Sequence, residues 1–298
     1  GGTAQNGVAF TQQPVLQLRD QFGNNSPTAG VQVTVAILTG GGTLGGTATV
    51  GSNASGVVTF TNLSITGTVG ARTLNFTATG LPALASGAVQ LAAGGAATVS
   101  ANSTTTLTGT AGAAVTPLPS VLVVDQSGNP VAGATVTFTP VIGEGTVTGG
   151  SPLTDASGIA TVGSWTLGAT TGSNNLTAQV GSLTPVGFTA TVNPAAAALL
   201  DAVVQPSAGV ASGSVLAQQP VVRITDVFGN IIPGATNTVT ATLQGPGATL
   251  GGTTSVAAVN GVATFTNLSL TGLAGSYTLA FAASGLTGDV STAIALGA

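Results

Sequence analysis

Asp20-Gln21-Phe22-Gly23-Asn24 is followed 105 residues later by Asp125-Gln126-Ser127-Gly128-Asn129, and 101 residues after that by Asp226-Val227-Phe228-Gly229-Asn230. An aspartate opening such a stretch accepts hydrogen bonds from N–H groups two or more residues on, and the glycine supplies a positive-φ position. Each copy therefore reads as the same tight turn, with Asp20, Gly23, Asp125, Gly128, Asp226 and Gly229 as its structural residues. Two further blocks keep the phase. Gly56, Gly158 and Gly261, each followed by a β-branched residue, are spaced by 102 and 103 residues, and so are Leu74, Leu176 and Leu279. Three anchors recurring in register give three units of about 100 residues, each large enough to be a domain rather than one coil of a solenoid.

Within a unit the apolar residues have period 2. Val31, Val33, Val35 and Ile37 alternate with Gln32, Thr34 and Ala36, which is the pattern of a strand with one buried face. In the third unit the punctuation by Gly, Asn, Pro and Ser predicts strands near 198–205, 215–226, 236–244, 248–257, 261–270, 276–284 and 288–296. Short strands at this density predict an all-β chain of three tandem immunoglobulin-like Greek-key sandwiches. The expected domains are 1–93, 94–194 and 195–298, joined near 92–97 and 192–197. Strands of about ten residues imply a rod on the order of 110 Å.

The order Asp-x-x-Gly-Asn, then Pro-Gly-Ala as at Pro233-Gly234-Ala235, then Gly261-Val-Ala-Thr-Phe265, then Gly275-Ser-Tyr277-Thr-Leu279 resembles the tandem bacterial immunoglobulin-like domains of surface adhesins and large exported repeat proteins. The resemblance covers nearly the whole chain and implies an exported, extracellular or cell-surface protein whose domains act as spacers. The second unit departs from it most, with Trp165-Thr166 where the others carry Thr-Asn before a Leu, and with Glu144 in a loop of its own.

Composition removes most chemistry. Of 298 residues 3% are charged, and His, Cys, Met and Lys are absent. No imidazole, thiolate or amine is available for a triad, a Schiff base or a zinc site, so no enzyme and no cofactor is expected. Three Arg against seven acids cannot neutralise the six to ten phosphates of a typical nucleic-acid contact. Mean hydropathy is +0.55, yet polar and Gly/Pro punctuation interrupts every long window, so membrane insertion is not expected. With no Met and no basic, then apolar leader, the sequence reads as a processed or trimmed product.

The three aligned aspartates suggest calcium at first sight, but one acid per site falls short of the several carboxylates that ion takes; Asp155 is a turn residue of the same kind. A glycosidase needs two carboxylates facing across a cleft, and only Asp201, near a domain junction, stands outside the turn pattern in a place worth inspecting. Arg19, Arg72 and Arg223 are expected to lay their stems on apolar surface with wet head groups. Asn24, Asn53, Asn62, Asn75, Asn102, Asn175 and Asn267 open Asn-x-Ser/Thr triplets, a weak glycan signal in so polar a chain. Trp165 and Tyr277 are expected in sandwich cores rather than at a sugar platform.

The first unit is short at its start. Asp125 lies 31 residues after Gly94 and Asp226 lies 31 after Ala195, whereas only 19 residues precede Asp20. The missing stretch corresponds to Ala198–Gln205, a first strand. Three completions are open: a strand from another subunit, a preceding strand of a longer chain, or rearrangement of residues 1–10. Because a surface with few charges can meet copies of itself without burying ions, the expected partner is the chain itself. Val8 and Phe10 at one end and Val290, Ile294 and Leu296 at the other are the candidate junction residues. The function expected is an extracellular filament or surface layer built by head-to-tail strand complementation; the alternative is an adhesin stalk.

Overall fold

The computed structural model describes residues 2–298. The chain is all-β, with three tandem immunoglobulin-like sandwiches and three separate apolar cores. In the third sandwich one sheet orders the strands Leu199–Val204, Val221–Thr225 and Val262–Thr264. The facing sheet runs Gly209–Ala211, Ile294–Gly297, Gly275–Ala282, Thr238–Gln244 and Ser255–Ala257. Period-2 alternation delivers Val222 and Ile224 from one sheet and Leu279, Phe281 and Ile294 from the other into one core. The ring centroids of Phe265 and Phe281 lie 5.7 Å apart across it.

The sandwich begins with a strand that splits between two roles. Leu199–Val204 pairs antiparallel with Val221–Thr225, and then Gly209–Ala211 crosses to pair parallel with Ala295–Gly297. That short parallel strand is absent from the sequence expectation, because three residues carry too little periodicity to announce it. Expected long strands are also broken: 248–257 divides at Gly251-Gly252, where Gly252 has φ +88° and the Asn267 carbonyl lies close to its backbone. At the next turn Asn260 and Gly261 both take positive φ, 51° and 76°, as a two-residue hairpin requires.

The second sandwich repeats the plan, with Thr98–Ala101 and Thr106–Thr110 as its two opening strands. The first sandwich does not. Thr3–Gln5 pairs parallel with Gln90–Ala92, in the place of Thr106–Thr110 and Gly209–Ala211. Among the described residues Val15–Gln17 then pairs only with Val57–Thr59, and no strand lies beside its other edge. The first sandwich lacks its first strand.

Trp165 is buried in the second core, and its backbone carbonyl accepts from Val115 N–H at 2.9 Å, as Leu63 and Leu268 accept from Phe10 and Leu216. It thus stands in the leucine position, two residues from where the sequence comparison put it. The tandem phenylalanines Phe60–Phe76 and Phe265–Phe281 have Val162 and Ala178 at the corresponding positions of the second unit. The indole supplies the volume that these smaller residues leave.

Candidate functional site: the interdomain clamp and the open strand position

The Asp-x-x-Gly-Asn turn is built from within. Asp125 Oδ1 accepts from Ser127 N at 2.8 Å and Asn129 N at 2.9 Å. Asp20 and Asp226 do the same, with Gly23, Gly128 and Gly229 at φ +80° to +86°. Its outer face is the site that local sequence does not reveal. Asp125 Oδ2 accepts from the Gly94 N–H at 2.8 Å and from Asn6 Nδ2 at 2.7 Å, both from the preceding sandwich and linker. The Asn129 amide donates to Gly67 O and accepts from Val69 N–H, both at 2.9 Å, so it grips one tail loop of the first sandwich on two sides.

The second junction repeats this contact. Ala195 N–H donates to Asp226 Oδ2 at 2.8 Å, Asn230 Nδ2 donates to Ala169 O at 2.7 Å, and Thr171 N–H donates to Asn230 Oδ1 at 3.0 Å. Here Phe228 replaces Ser127 and lies on Gly112 so closely that a Cβ there would meet its Cζ at 2.5 Å. Two linkers and two tail loops are thereby locked to the following sandwich. Burial pushes the Asp125 and Asp226 carboxyls up. The N–H donors of Gly94, Asn129 and Asn6 for one, and of Asn230 and Ala195 for the other, outweigh it and hold both below the ordinary carboxylate range.

Each tail loop is braced from beneath by one buried polar side chain. Arg72 bonds the carbonyls of Ala71 and Thr68. Asn174 Oδ1 accepts from Gly168 N–H at 2.7 Å, and Tyr277 OH donates to one of two carbonyls, Pro246 at 3.1 Å or Leu273 at 2.9 Å. These three occupy the same place, two residues before Leu74, Leu176 and Leu279. Arg72 is buried, so its head group is not in water; carbonyls replace solvent at Nη1 and Nη2, while Nε has no partner among the described residues. Tyr277 and Trp165 sit in their cores.

The remaining acids are structural as well. Asp155 Oδ1 accepts from Ser157 and Ile159 N–H groups, Glu144 accepts from Asn175 N–H and Nδ2, and Asp289 Oδ2 accepts from Ala202 N–H at 2.8 Å. Asp201 points outward opposite Arg223. Among the described residues no three His, Cys, Asp or Glu side chains gather as a metal site. Among the described residues no helix is long and apolar enough to cross a membrane.

Where the first sandwich lacks its strand, a groove of about 510 Å³ opens between Phe10–Val15 on one side and Leu74, Phe76 and Val89 on the other. A second hollow of about 180 Å³ continues past Leu16, Phe76 and Leu84. In the third sandwich this course is taken by Leu199–Val204, with Leu200 and Ala202 buried and the Leu200 N–H bonded to Thr287 O at 2.9 Å. Thr3–Gln5 leaves the groove open, with Val8 exposed and Phe10 half-buried against the core. Val290 is exposed, whereas Ile294 and Leu296 are buried in their own sandwich. Asp289, which accepts from the Ala202 N–H, corresponds by the repeat offset to exposed Leu84 of the first unit.

No protein-family model and no curated protein matches the chain. Among solved structures it is similar to FdeC, an Escherichia coli adhesin, at 16% identity and TM-score 0.45, over 95% of this chain and 91% of that one. It is also similar to InvD of Yersinia pseudotuberculosis, at 19% and 0.41, over 99% and 95%. A third is invasin, described as a bacterial integrin-binding protein, at 19% and 0.37, over 100% of this chain and 58% of that one. At these scores no receptor, partner or assembly passes from them to this chain.

Proposed function

We propose that the chain is an extracellular structural rod, non-enzymatic, that joins head to tail with its own copies into a filament or surface layer. In this reading the open strand position of the first sandwich is completed by a β-strand from a neighbouring copy. The groove carries the reading: the other two sandwiches fill the same position, and an unpaired edge beside a hollow that continues past Leu16, Phe76 and Leu84 is the geometry that strand addition uses. The occupant's chemistry follows from Leu199–Val204, apolar at alternate residues with Leu200 and Ala202 inward. Charged residues at 3% of the chain let copies approach without stranding ions in an interface, a cost of several kcal/mol each. Clamped junctions stiffen such a rod, and they equally suit a second reading, a stalk that holds an adhesive unit away from a surface.

Negative-stain electron microscopy of the purified chain, with its intact mass, tests the proposal. Uniform filaments from a chain of 28.1 kDa are expected; dispersed rods overturn it. An excess of the peptide Ala198–Gln205 is expected to shorten the filaments, and the same peptide with Leu200→Asp to leave them unchanged. Filaments indifferent to both peptides overturn the strand route.

A further inference from the structure

We propose that the turn Asp20–Asn24 of one copy docks on the tail loop Gly272–Ala274 of a second copy, reproducing between molecules the clamp seen twice within one; this rests on the head-to-tail reading above. The first sandwich carries half of a clamp, already formed. Asp20 Oδ1 holds the turn, and Asn24 Nδ2 donates to Asp20 Oδ2 at 3.1 Å, as Asn129 and Asn230 do. What differs is the outer face: Asp20 and Asn24 are exposed, and Oδ2 lacks the linker N–H that Gly94 and Ala195 supply at the internal junctions.

The third sandwich carries the other half. Gly272 and Ala274 stand where Gly67 and Val69 receive Asn129, and where Ala169 and Thr171 receive Asn230. The loop is braced like the others, by Tyr277 OH, and Ser212 Oγ accepts from Gly272 N–H at 3.1 Å as Asn6 Oδ1 accepts from Gly67 N–H. Among the described residues no acceptor is bonded to the Ala274 N–H.

Side-chain shape selects the pairing. Phe22 corresponds to Phe228, whose ring needs a bare glycine beneath it, and in the third sandwich Gly213 corresponds to Gly112 and has open space around it. Both surfaces leave apolar side chains uncovered: Phe22 is 79% exposed against 48% for Phe228 at the internal junction, and Leu273 is 72% exposed where the first two units have Thr68 and Thr170. A second copy covers both at once. The contact is heterologous, so it propagates instead of closing as a dimer.

Sedimentation velocity of the full chain over a concentration series tests this. The wild-type chain is expected to associate, and Asn24→Ala or Phe22→Ala to weaken association by about tenfold, or about 1.4 kcal/mol, since each removes hydrogen bonds or apolar burial. Both positions are exposed, and unchanged circular dichroism and melting confirm the fold. Tyr277→Phe, which frees the tail loop, is expected to weaken association in the same direction. Asn129→Ala, the same change at an internal junction, is expected to leave association unchanged. Association equal to wild type in both head variants overturns the clamp and leaves the strand reading standing. A wild-type chain that stays monomeric throughout overturns both.

Discussion

Asn6 Nδ2 and Asp125 Oδ2 meet at 2.7 Å although 119 positions separate them, and the same oxygen also takes the linker N–H of Gly94. A turn residue of one sandwich is thus the acceptor that ends the previous one. Asp125→Ala removes that acceptor and leaves the Gly94, Asn6, Ser127 and Asn129 donors without it. The expected loss is about 1–3 kcal/mol in the unfolding of the second sandwich, measured by denaturant titration followed at Trp165. Asp226→Ala is expected to destabilise the third sandwich comparably, whereas Asp20→Ala, at an exposed turn whose Oδ2 takes only the Asn24 side chain among the described residues, is expected to lower melting less.

The same two carboxyls set the response to acid. Asp125 and Asp226 are held below the ordinary aspartate value of about 3.9, so on acidification the unfolded chain binds protons before the folded one. Their contribution is complete at neutral pH, declines as pH falls through about 4, and is gone only below the folded-state values. Calorimetry between pH 7 and pH 3 is expected to show melting temperatures that fall towards pH 3. Asp125→Asn is expected to start lower at pH 7 and to fall less steeply. A slope identical to wild type in the Asn variant would remove this carboxyl from the pH response.

The second core rests on a substitution in concert. Trp165 takes a position held elsewhere by Leu63 and Leu268, while Val162 and Ala178 take those of two phenylalanines. Its emission is expected to be blue-shifted and shielded from quenchers until the second sandwich unfolds, because the residue is fully buried. Trp165→Leu alone leaves a cavity and is expected to cost about 2–4 kcal/mol. Adding Val162→Phe and Ala178→Phe rebuilds the core of the flanking sandwiches and is expected to recover at least half of the loss; recovery of none refutes the volume exchange.

Much of this architecture is written locally. Period-2 runs such as Val31 to Ile37 and the recurrence of Leu74, Leu176 and Leu279 carry the sandwiches and their number, since both depend on neighbours along the chain. The gap before Asp20 is equally legible, as a missing length. What escapes is what the packed fold decides: Asn129 gripping Gly67 from 62 positions away, and Arg72 turned inward on Thr68, four positions back. One signal for the latter was present. Arg72, Asn174 and Tyr277 share an inward phase with the following leucine, and a position polar three times on a buried face marks a demand for hydrogen bonds.

Two glycines of the second sandwich separate backbone strain from close approach. Gly128, φ +80°, has open space around it, so Gly128→Ala meets only the left-handed penalty of about 1 kcal/mol. Gly158, φ +74°, would place a Cβ 2.6 Å from Val123 O, and the strand must move to admit it. Gly158→Ala is expected to cost about 3 kcal/mol or more, and equal losses in the two variants would show that the backbone yields there freely.

The open position of the first sandwich has a signature in exchange. Val15–Gln17 is bonded on one side only, to Val57–Thr59, while Val221–Thr225 lies between two strands. Local opening draws on the least-bonded segments, so amides of Val15–Gln17 are expected to exchange about tenfold or more faster than those of Val221–Thr225 in a dispersed chain. A strand seated in the groove takes up the N–H groups at that edge and covers Val15 and Leu84, which line it and are exposed. The peptide Ala198–Gln205 is then expected to slow exchange at Val15–Gln17 alone, and assembly to slow it there and at the Gly272–Ala274 loop, both leaving the second sandwich unchanged. Slowing spread evenly over all three sandwiches would instead place the contact on their outer faces.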